Sequence, residues 1–286
     1  MGNTIHQFTN ARAPRNGRFA IKSLPTTSLW VSEPLTKMLI IAYIVFIHVL
    51  LGVVLLKSDF ITRIQYKLGT STVASGEIPE EYPRMVLYHS RMDGNVPEGA
   101  VIFVGDSIIQ SLYVAAVAPD SVNYGISNDT TVGLLQRLPK YGAIKRAGAV
   151  VVAIGTNDLS YRNNEEILRN FATIAEQLPK NIPVIFSAPL PIAESAIVER
   201  RGWNERIRGL SIGLKALVDR SSNLILVDIG PLLVDSQQNL AAENHTDGIH
   251  LNTKGNALLI RELQKALKSP PRGGSPTMNS PPRSPG

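Results

Sequence analysis

Polar and apolar positions along the middle of the chain form two alternating kinds of block. Continuous apolar runs are typical of strands buried on both faces, and they occur at VIFVG (101–105), AVVVAIG (149–155), PVIFSA (183–188) and LILVDI (224–229). A fifth, weaker strand is predicted at SVNYG (121–125). Apolar residues also recur at helical spacing, as Ile167, Phe171, Ile174, Leu178; Trp203, Ile207, Leu210, Leu214, Leu217; and Leu259, Ile260, Leu263, Leu267. This alternation predicts an α/β fold, with a five-stranded parallel sheet and helices on both sides.

A longer apolar run fills residues 38–56, which read MLIIAYIVFIHVLLGVVLL between Lys37 and Lys57. It carries no charge and is long enough to cross a bilayer core of about 30 Å as a helix. The alternatives are a buried core helix and a cleaved signal peptide, but the run is long for a signal peptide and no small-residue cleavage pattern follows it. We therefore predict a retained single-pass membrane anchor, and we assign no chemistry to His48.

Positive charge is concentrated at the two ends of the chain. Of the net charge of +6, residues 1–37 carry +4 (five Lys or Arg and one Glu) and residues 268–286 carry +3, which leaves −1 for the rest. The body therefore has no basic face of the kind that binds nucleic acid. The basic arm favours a cytoplasmic amino terminus, which predicts a body outside the cytoplasm, in the periplasm or at the cell surface.

Composition also predicts how the chain is divided. The two ends of the chain are polar or rich in Pro and Ser, so they cannot form a core. The segment EYPRMVLYHSRM (81–92) is predicted to be a short helix that leads into the body. The predicted parts are a disordered arm (1–37), the anchor (38–56), a stalk with the lead-in helix (57–95), the folded body (96–268) and a disordered tail (269–286). The chain contains no cysteine, which excludes disulfides, thiolate metal sites and a cysteine nucleophile.

Polar residues follow the predicted strands at their carboxyl ends, where ligands bind in sheets of this kind. Taken singly, each group is explained equally well as a helix cap or a turn. Together they supply the parts of a serine hydrolase. The groups are Gly105-Asp106-Ser107, Asn123-Tyr124-Gly125, Gly155-Thr156-Asn157-Asp158 and Asp247-Gly248-Ile249-His250.

A serine hydroxyl needs a neighbouring base to act as a nucleophile at neutral pH, and imidazole is suited to that task. We predict that Ser107 is the nucleophile and His250 the base. Asp247, three residues earlier, would orient the imidazole through its other nitrogen. His245 ranks second because it lacks a carboxylate placed in the same way.

Attack on an acyl carbon also creates an oxyanion, which must be stabilised by preorganised hydrogen-bond donors. Three groups at the same rim are candidates for this role. They are the backbone amides of Ser107 and Gly125 and the side-chain amide of Asn157.

Four motifs, in order, resemble the four blocks of the SGNH (GDSL-type) hydrolases: GDSI (105–108), the glycine of NYGIS (125), GTND (155–158) and DGIH (247–250). The resemblance covers residues 96–268. It implies a flavodoxin-like three-layer α/β/α sandwich, with Ser107, His250 and Asp247 as the triad and Gly125 and Asn157 in the oxyanion hole. The stretch NYGISNDTTVGLLQRL is most similar to the branch related to platelet-activating-factor acetylhydrolase and sialate O-acetylesterase, whose members favour short acyl esters.

These features predict a membrane-anchored serine esterase that hydrolyses short, acetyl-like esters of a small molecule, lipid or glycan without a metal or cofactor. Two alternatives remain open: an O-acyltransferase acting on envelope glycans, which would use the same triad, and a non-catalytic envelope binding module. Arg200 and Arg201 lie in the loop after the fourth strand. They are candidate contacts for an anionic substrate.

Overall fold

The computed structural model describes residues 33–57, 64–65 and 77–269. The predictions for most of the basic arm, most of the stalk and nearly all of the tail therefore lie outside the described residues. The chain divides into two compact units after Val54, and each is described by itself.

The described part of the amino-terminal unit belongs to one long helix, α1 (Glu33–Lys57), whose last three residues lie past the boundary. This helix includes the whole apolar run predicted at residues 38–56. The most apolar stretch of 18 residues in this helix has a mean hydropathy of 2.9, and no part of it is buried within the protein. A helix of this length and composition suits a membrane span, and signal sequences have the same character. Retention of the helix as an anchor is therefore still a prediction.

The body is built on five parallel strands, which confirms the predicted sheet. Their order across the sheet is β2-β1-β3-β4-β5, the order of flavodoxin-like folds. Each strand lies within the segment predicted for it. The strands are β1 (Val101–Gly105), β2 (Ser121–Gly125), β3 (Ala149–Ala153), β4 (Val184–Ser187) and β5 (Leu224–Val227).

The helices include the lead-in helix and the three predicted from apolar spacing. The others are short and accompany the turns at the strand ends. The α-helices of the body are α2 (Tyr82–Asp93), α3 (Ser107–Gln110), α4 (Thr131–Arg137), α5 (Asn164–Gln177), α6 (Trp203–Val218), α7 (Gly230–Leu233) and α8 (Thr253–Lys268).

The sheet separates two apolar layers because successive side chains of a strand point to opposite faces. Ile102 and Val104 of β1 pack with Phe171 of α5 and Leu210 of α6 on one face. Phe103, between them, packs on the other face with residues of α3 and α8. Helices thus cover both faces, which confirms the predicted three-layer sandwich.

Strand register brings three chain segments to one edge of the sheet. Gly105 at the end of β1 pairs with Gly125 at the end of β2 and with Ala153 at the end of β3. The segments that leave these three strands therefore start side by side. Ser107 and Asn157 belong to two of them.

Candidate active site

Ser107 is the first residue of α3, directly after the end of β1. The side chain of Asp106 caps this helix by accepting a hydrogen bond of 3.0 Å from the backbone N–H of Ile108. The turn requires glycine at position 105, since a Cβ there would lie 2.0 Å from the carbonyl oxygen of Ala153. This tight turn places the Ser107 side chain at the rim of the sheet.

The structure brings together the three residues predicted as nucleophile, base and orienter. Ser107 Oγ lies 2.9 Å from His250 Nε2. His250 Nδ1 lies 2.6 Å from Asp247 Oδ2. A continuous chain of hydrogen bonds thus joins hydroxyl, imidazole and carboxylate, although 143 residues separate Ser107 from His250.

A tight turn before α8 holds Asp247 and His250 in this arrangement. The second carboxylate oxygen of Asp247 accepts hydrogen bonds from the backbone N–H groups of Ile249 (3.0 Å) and His250 (2.8 Å). Gly248 has a φ of +89°, a left-handed conformation that favours glycine. His245, the second-ranked base, uses its Nδ1 to accept a hydrogen bond of 2.8 Å from the Gly248 N–H, and so stabilises the turn.

These hydrogen bonds keep Asp247 ionised. Partial burial alone would raise the pKa of Asp247, but the hydrogen bonds from the backbone and ring of His250 and from the backbone of Ile249 outweigh it and lower the pKa to about 2. The carboxylate is therefore charged throughout the neutral and mildly acidic range. A charged acceptor holds the Nδ1 proton of His250 and leaves Nε2 to face Ser107.

Asn157 lies after β3, in the 3₁₀ turn Asn157–Ser160. Its side-chain Nδ2 donates a hydrogen bond of 3.0 Å to the carbonyl oxygen of Asp129, which uses one of its two N–H groups. Asn157 and Ser107 line the same small cavity, together with Leu190, Ile192 and Ile249. The two residues thus border one space beside the hydroxyl.

Gly125, the third predicted oxyanion donor, is held differently. Its backbone N–H donates a hydrogen bond of 2.9 Å to Asn123 Oδ1. A Cβ at this position would lie 2.2 Å from the backbone nitrogen of Gln110, so glycine here permits β2 to pack closely against α3. In the described structure, Gly125 therefore allows close packing of β2 against α3, and its N–H is occupied by Asn123.

Sequence reasoning missed the contribution of Asn123. Its Nδ2 donates hydrogen bonds to the carbonyl oxygens of Ile109 (2.7 Å) and Leu112 (3.2 Å). These carbonyls belong to α3 and the turn that follows it, so Asn123 ties the helix that begins at Ser107 to the neighbouring strand.

Sequence reasoning also missed Arg137, which is fully buried beneath the rim. Its guanidinium pairs with the carboxylate of Asp129 at 2.8 Å and donates to the carbonyl oxygens of Gly105 (2.9 Å) and Tyr124 (2.6 Å). Arg137 thereby fixes the ends of β1 and β2, and through Asp129 the loop that binds Asn157. Its only sequence signal is a cation at the end of the apolar stretch TVGLLQR.

A second buried ion cluster joins the lead-in segment to the same rim. Glu77, only 1% exposed, pairs with Arg162 at 2.5 Å and accepts a hydrogen bond from the Thr130 hydroxyl. Arg162 also pairs with Asp158 at 3.2 Å. Asp158 in turn accepts hydrogen bonds from the backbone and hydroxyl of Thr131, so the aspartate of the GTND motif anchors the start of α4.

Asp106 differs from these carboxylates because it has no cationic partner in direct contact among the described residues. Burial raises its pKa to about 7, against the hydrogen bond from Ile108 and with added repulsion from Asp129 and Asp158. This carboxyl group therefore takes up a proton near neutral pH.

Two larger cavities open at the same rim. One, of about 570 Å³, is lined by both Ser107 and His250. The other, of about 360 Å³, borders Asn157 and contains Arg200, whose guanidinium lies 4.7 Å from the ring centre of Trp203. Arg201 is exposed.

Within residues 33–57, 64–65 and 77–269, no group of three or more His, Asp or Glu side chains is placed to bind a metal ion.

Fold and sequence together define the class of protein. The family model described as GDSL-like lipase/acylhydrolase matches residues 103–258, more than half of the chain. The protein belongs to this family and is a carboxylic ester hydrolase. This confirms the resemblance stated from the four motifs.

Solved structures with a similar fold include several members of this group. A Streptococcus pneumonia protein whose description names platelet activating factor has a TM-score of 0.60 at 22% identity, covering 74% of this chain and 100% of that one. A GDSL-like lipase from Bacteroides thetaiotaomicron has a TM-score of 0.56 at 21% identity, covering 64% and 97%. The acetyl xylan esterase AlAXEase has a TM-score of 0.51 at 22% identity, covering 59% and 99%. No curated protein matches the chain in sequence.

Proposed function

We propose that this protein is a membrane-anchored serine esterase that hydrolyses short acyl esters through an acyl-enzyme. The observation that carries the proposal is the hydrogen-bonded chain from Ser107 through His250 to Asp247. Each neighbour in that chain is at the distance required for proton transfer or orientation. The GDSL-like family supplies the reaction class, ester hydrolysis.

In the first half of the reaction, Ser107 Oγ attacks the ester carbonyl carbon while His250 Nε2 takes the hydroxyl proton. Asp247 accepts the Nδ1 hydrogen bond and stabilises the imidazolium that forms. The tetrahedral intermediate then collapses, the C–O bond to the alcohol breaks, and His250 gives its proton to the departing oxygen. The acyl group remains on Ser107 as an ester.

In the second half, His250 removes a proton from water, which attacks the acyl carbon. Collapse of this second intermediate releases the carboxylic acid, and the proton held by His250 returns to Ser107. The donors proposed for the oxyanion are the backbone amide of Ser107 and the second N–H of Asn157 Nδ2. Gly125 is left out of this set because its amide is bonded to Asn123.

The small cavity beside Ser107 supports a short acyl group. About 10 Å³ of it is open to the centre of a water molecule, which leaves room for about one such molecule. Leu190 and Ile192, which form part of its wall, are buried. A methyl group fits such a space, whereas a longer acyl chain must displace packed side chains. We therefore propose acetyl esters as the preferred substrates.

Helix α1 supports the proposal of an anchor. The twenty residues on either side of the apolar run contain three Lys or Arg each, and the whole amino-terminal arm tips the balance towards a cytoplasmic amino terminus. The body would then work outside the cytoplasm, in the periplasm or at the cell surface. Acyl transfer to a glycan hydroxyl would use the same triad, and the products distinguish it from hydrolysis.

The central test is Ser107→Ala in the full chain, purified in detergent and assayed with 4-nitrophenyl acetate. Loss of the nucleophile is expected to lower kcat by about a thousandfold or more, and His250→Ala should have a similar effect. Ser160→Ala is the matched control, since this exposed serine follows β3 at the same rim and is expected to keep wild-type activity. Wild-type activity in the Ser107 variant would disprove the proposed nucleophile.

A further inference from the structure

The alcohol part of the ester must lie on the His250 side of the nucleophile. This follows from the proposed function, on which the inference rests, because His250 Nε2 delivers the proton to the departing alcohol oxygen. The cavity of about 570 Å³ contains both Ser107 and His250 in its wall. Its size lies within the range of about 300–1,000 Å³ typical of small-molecule sites. We call it the His250 cavity.

The residues that line the His250 cavity are almost all polar, and none carries a permanent charge. Apart from His250 and one aliphatic side chain, Leu251, the wall consists of Ser, Thr, Asn and Gln residues, with no Asp, Glu, Lys or Arg among them. Fatty alcohols bind apolar walls, and alcohols that carry a phosphate or carboxylate need a cation. The composition of this wall is suited to neither.

The other cavities have a different character. The cavity bordering Asn157 includes Glu80, Glu81 and Arg200, and it does not contain His250. A third cavity of about 350 Å³ is mainly apolar, with Pro189 and Ile207 in its wall, and contains neither Ser107 nor His250. The neutral polar wall is thus found where the leaving alcohol has to lie.

Several polar groups of the His250 cavity are available to a ligand. Within the described part of the chain, the exposed hydroxyls of Ser127 and Thr253 make no hydrogen bond. The carboxamide of Gln110 accepts a hydrogen bond from the Ser127 backbone through Oε1, which leaves the two N–H groups of Nε2. Asn256 donates to the Leu251 carbonyl oxygen and retains Oδ1 as an acceptor. Donors and acceptors are therefore mixed around one space.

We infer that the alcohol part of the substrate is a neutral polyhydroxyl ring of the carbohydrate type, bound in the His250 cavity. Each hydroxyl of such a ring donates and accepts hydrogen bonds, as do the side chains of this wall. The ring carries no charge that would demand an ionic partner.

The first test compares two acetates of primary alcohols, so that intrinsic reactivity is matched. They are a methyl glucoside acetylated on its primary hydroxyl, and hexyl acetate. Acetate release by the full chain in detergent measures both reactions. We expect kcat/KM for the glucoside ester to exceed that for hexyl acetate by about tenfold or more. Equal values, or a preference for hexyl acetate, would overturn the inference.

The second test removes the two unbonded hydroxyls in the double variant Ser127→Ala, Thr253→Val. The measured quantity is the ratio of kcat/KM for the glucoside ester to kcat/KM for 4-nitrophenyl acetate. We expect this ratio to fall about fivefold or more, and the control Ser160→Ala, in the neighbouring cavity, to keep the wild-type ratio. Thermal unfolding verifies that each variant is folded. An unchanged ratio in the folded double variant would place the alcohol elsewhere.

The outcomes separate this inference from the function on which it rests. Activity that is lost in Ser107→Ala but shows no preference for the glucoside ester removes only the carbohydrate assignment. Activity that persists in Ser107→Ala removes the proposed mechanism. A wild-type chain that releases acetate from none of the esters contradicts both.

Discussion

Among individual residues, Asp247 is held by hydrogen bonds to both of its carboxylate oxygens. Its two oxygens serve different partners, one accepting from the imidazole of His250 and the other from two backbone N–H groups. The same contacts lower its pKa to about 2, so the carboxylate proposed to orient the base is charged in neutral and mildly acidic solution. We therefore expect any loss of activity in mildly acidic solution to arise from a group other than Asp247.

Replacing Asp247 with Asn tests this role. The amide keeps the size of the side chain, but it no longer provides a charged acceptor for Nδ1, so the imidazole is no longer held in the tautomer that accepts the Ser107 proton. We expect kcat for 4-nitrophenyl acetate to fall by about a thousandfold or more. Asp235→Asn is the matched control, because Asp235 also accepts from two backbone N–H groups in an exposed turn and should keep full activity. Similar activity in both variants would rule out an orienting carboxylate.

Asp106 leads to a prediction about stability. Its pKa of about 7 in the folded protein lies above the ordinary value of 3.8, so the folded protein holds the proton more tightly than the unfolded chain does. The resulting stabilisation is fully present below about pH 4 and is lost as the pH rises to about 7, by at most about 1.4 kcal/mol per pH unit.

Asp106→Asn removes this titration while it keeps an acceptor for the Ile108 N–H. The free energy of unfolding of the variant should therefore change less than that of the wild type between about pH 4 and about pH 7. Urea denaturation at several pH values measures the difference. Parallel curves for the two proteins would show that Asp106 does not titrate in this range.

Residues that belong to a sequence motif could be predicted, whereas the buried residues that hold the motifs in place could not. Ser107 stands in a short motif at the end of a strand, and Asp247 and His250 stand in a short motif before the last helix. All three meet in the structure. Asn123 and Arg137 act through hydrogen bonds to backbone carbonyl oxygens that are distant in the sequence. Such partners leave no pattern in the spacing of neighbouring residues, so they cannot be predicted from it. For the same reason, the bond that occupies the Gly125 amide is visible only in the folded chain.

At the scale of elements, continuous apolar runs predicted four of the strands, because a strand buried on both faces has no polar side to interrupt the run. The edge strand β2, which contains Asn123 and is only partly buried, gave a weaker signal. The long helices were predicted because their buried residues repeat at helical spacing, as Ile167, Phe171 and Ile174 do in α5. The short helix α4 was not, since a few residues show no periodicity. For α3, which carries the residue proposed as the nucleophile, the sequence offered only the alternatives of a helix cap or a turn.

The dependence of α3 on β2 can be measured with Asn123→Ala. Removing the side chain leaves the carbonyl oxygens of Ile109 and Leu112 without this donor, so we expect the free energy of unfolding to fall by about 1–3 kcal/mol. Movement of α3 should also lower kcat by about tenfold or more. Urea denaturation and the 4-nitrophenyl acetate assay provide the two measurements.

Asn223→Ala is the matched control for this variant. Asn223 Nδ2 also donates to two backbone carbonyl oxygens, those of Pro179 and Ile182, at the opposite end of the sheet. It should lose stability to a similar extent and keep its kcat. Equal loss of kcat in both variants would mean that activity follows stability in general and not the position of α3.

At the scale of the whole molecule, α1 and the body are separate units, and the site lies entirely within the body. If α1 is a retained anchor, the chain should remain in the membrane fraction after alkaline carbonate washing, at the mass of the uncleaved protein. Removal of residues 33–55 should release it to the soluble fraction. A membrane-free protein shortened at its amino terminus would identify the helix as a signal sequence.

Glu77 determines where a soluble, truncated form of the protein can begin. A truncation that begins at the lead-in helix, at Tyr82, would look safe from the sequence, because the residues before it resemble a stalk. It would remove the carboxylate that accepts a hydrogen bond from the Thr130 hydroxyl and that pairs with Arg162. Thr130 is next to Asp129, whose carbonyl oxygen positions Asn157. A shortened enzyme should therefore begin upstream of Glu77. If it begins downstream, we expect a lower kcat, because the loss of Glu77 disturbs the loop that positions Asn157.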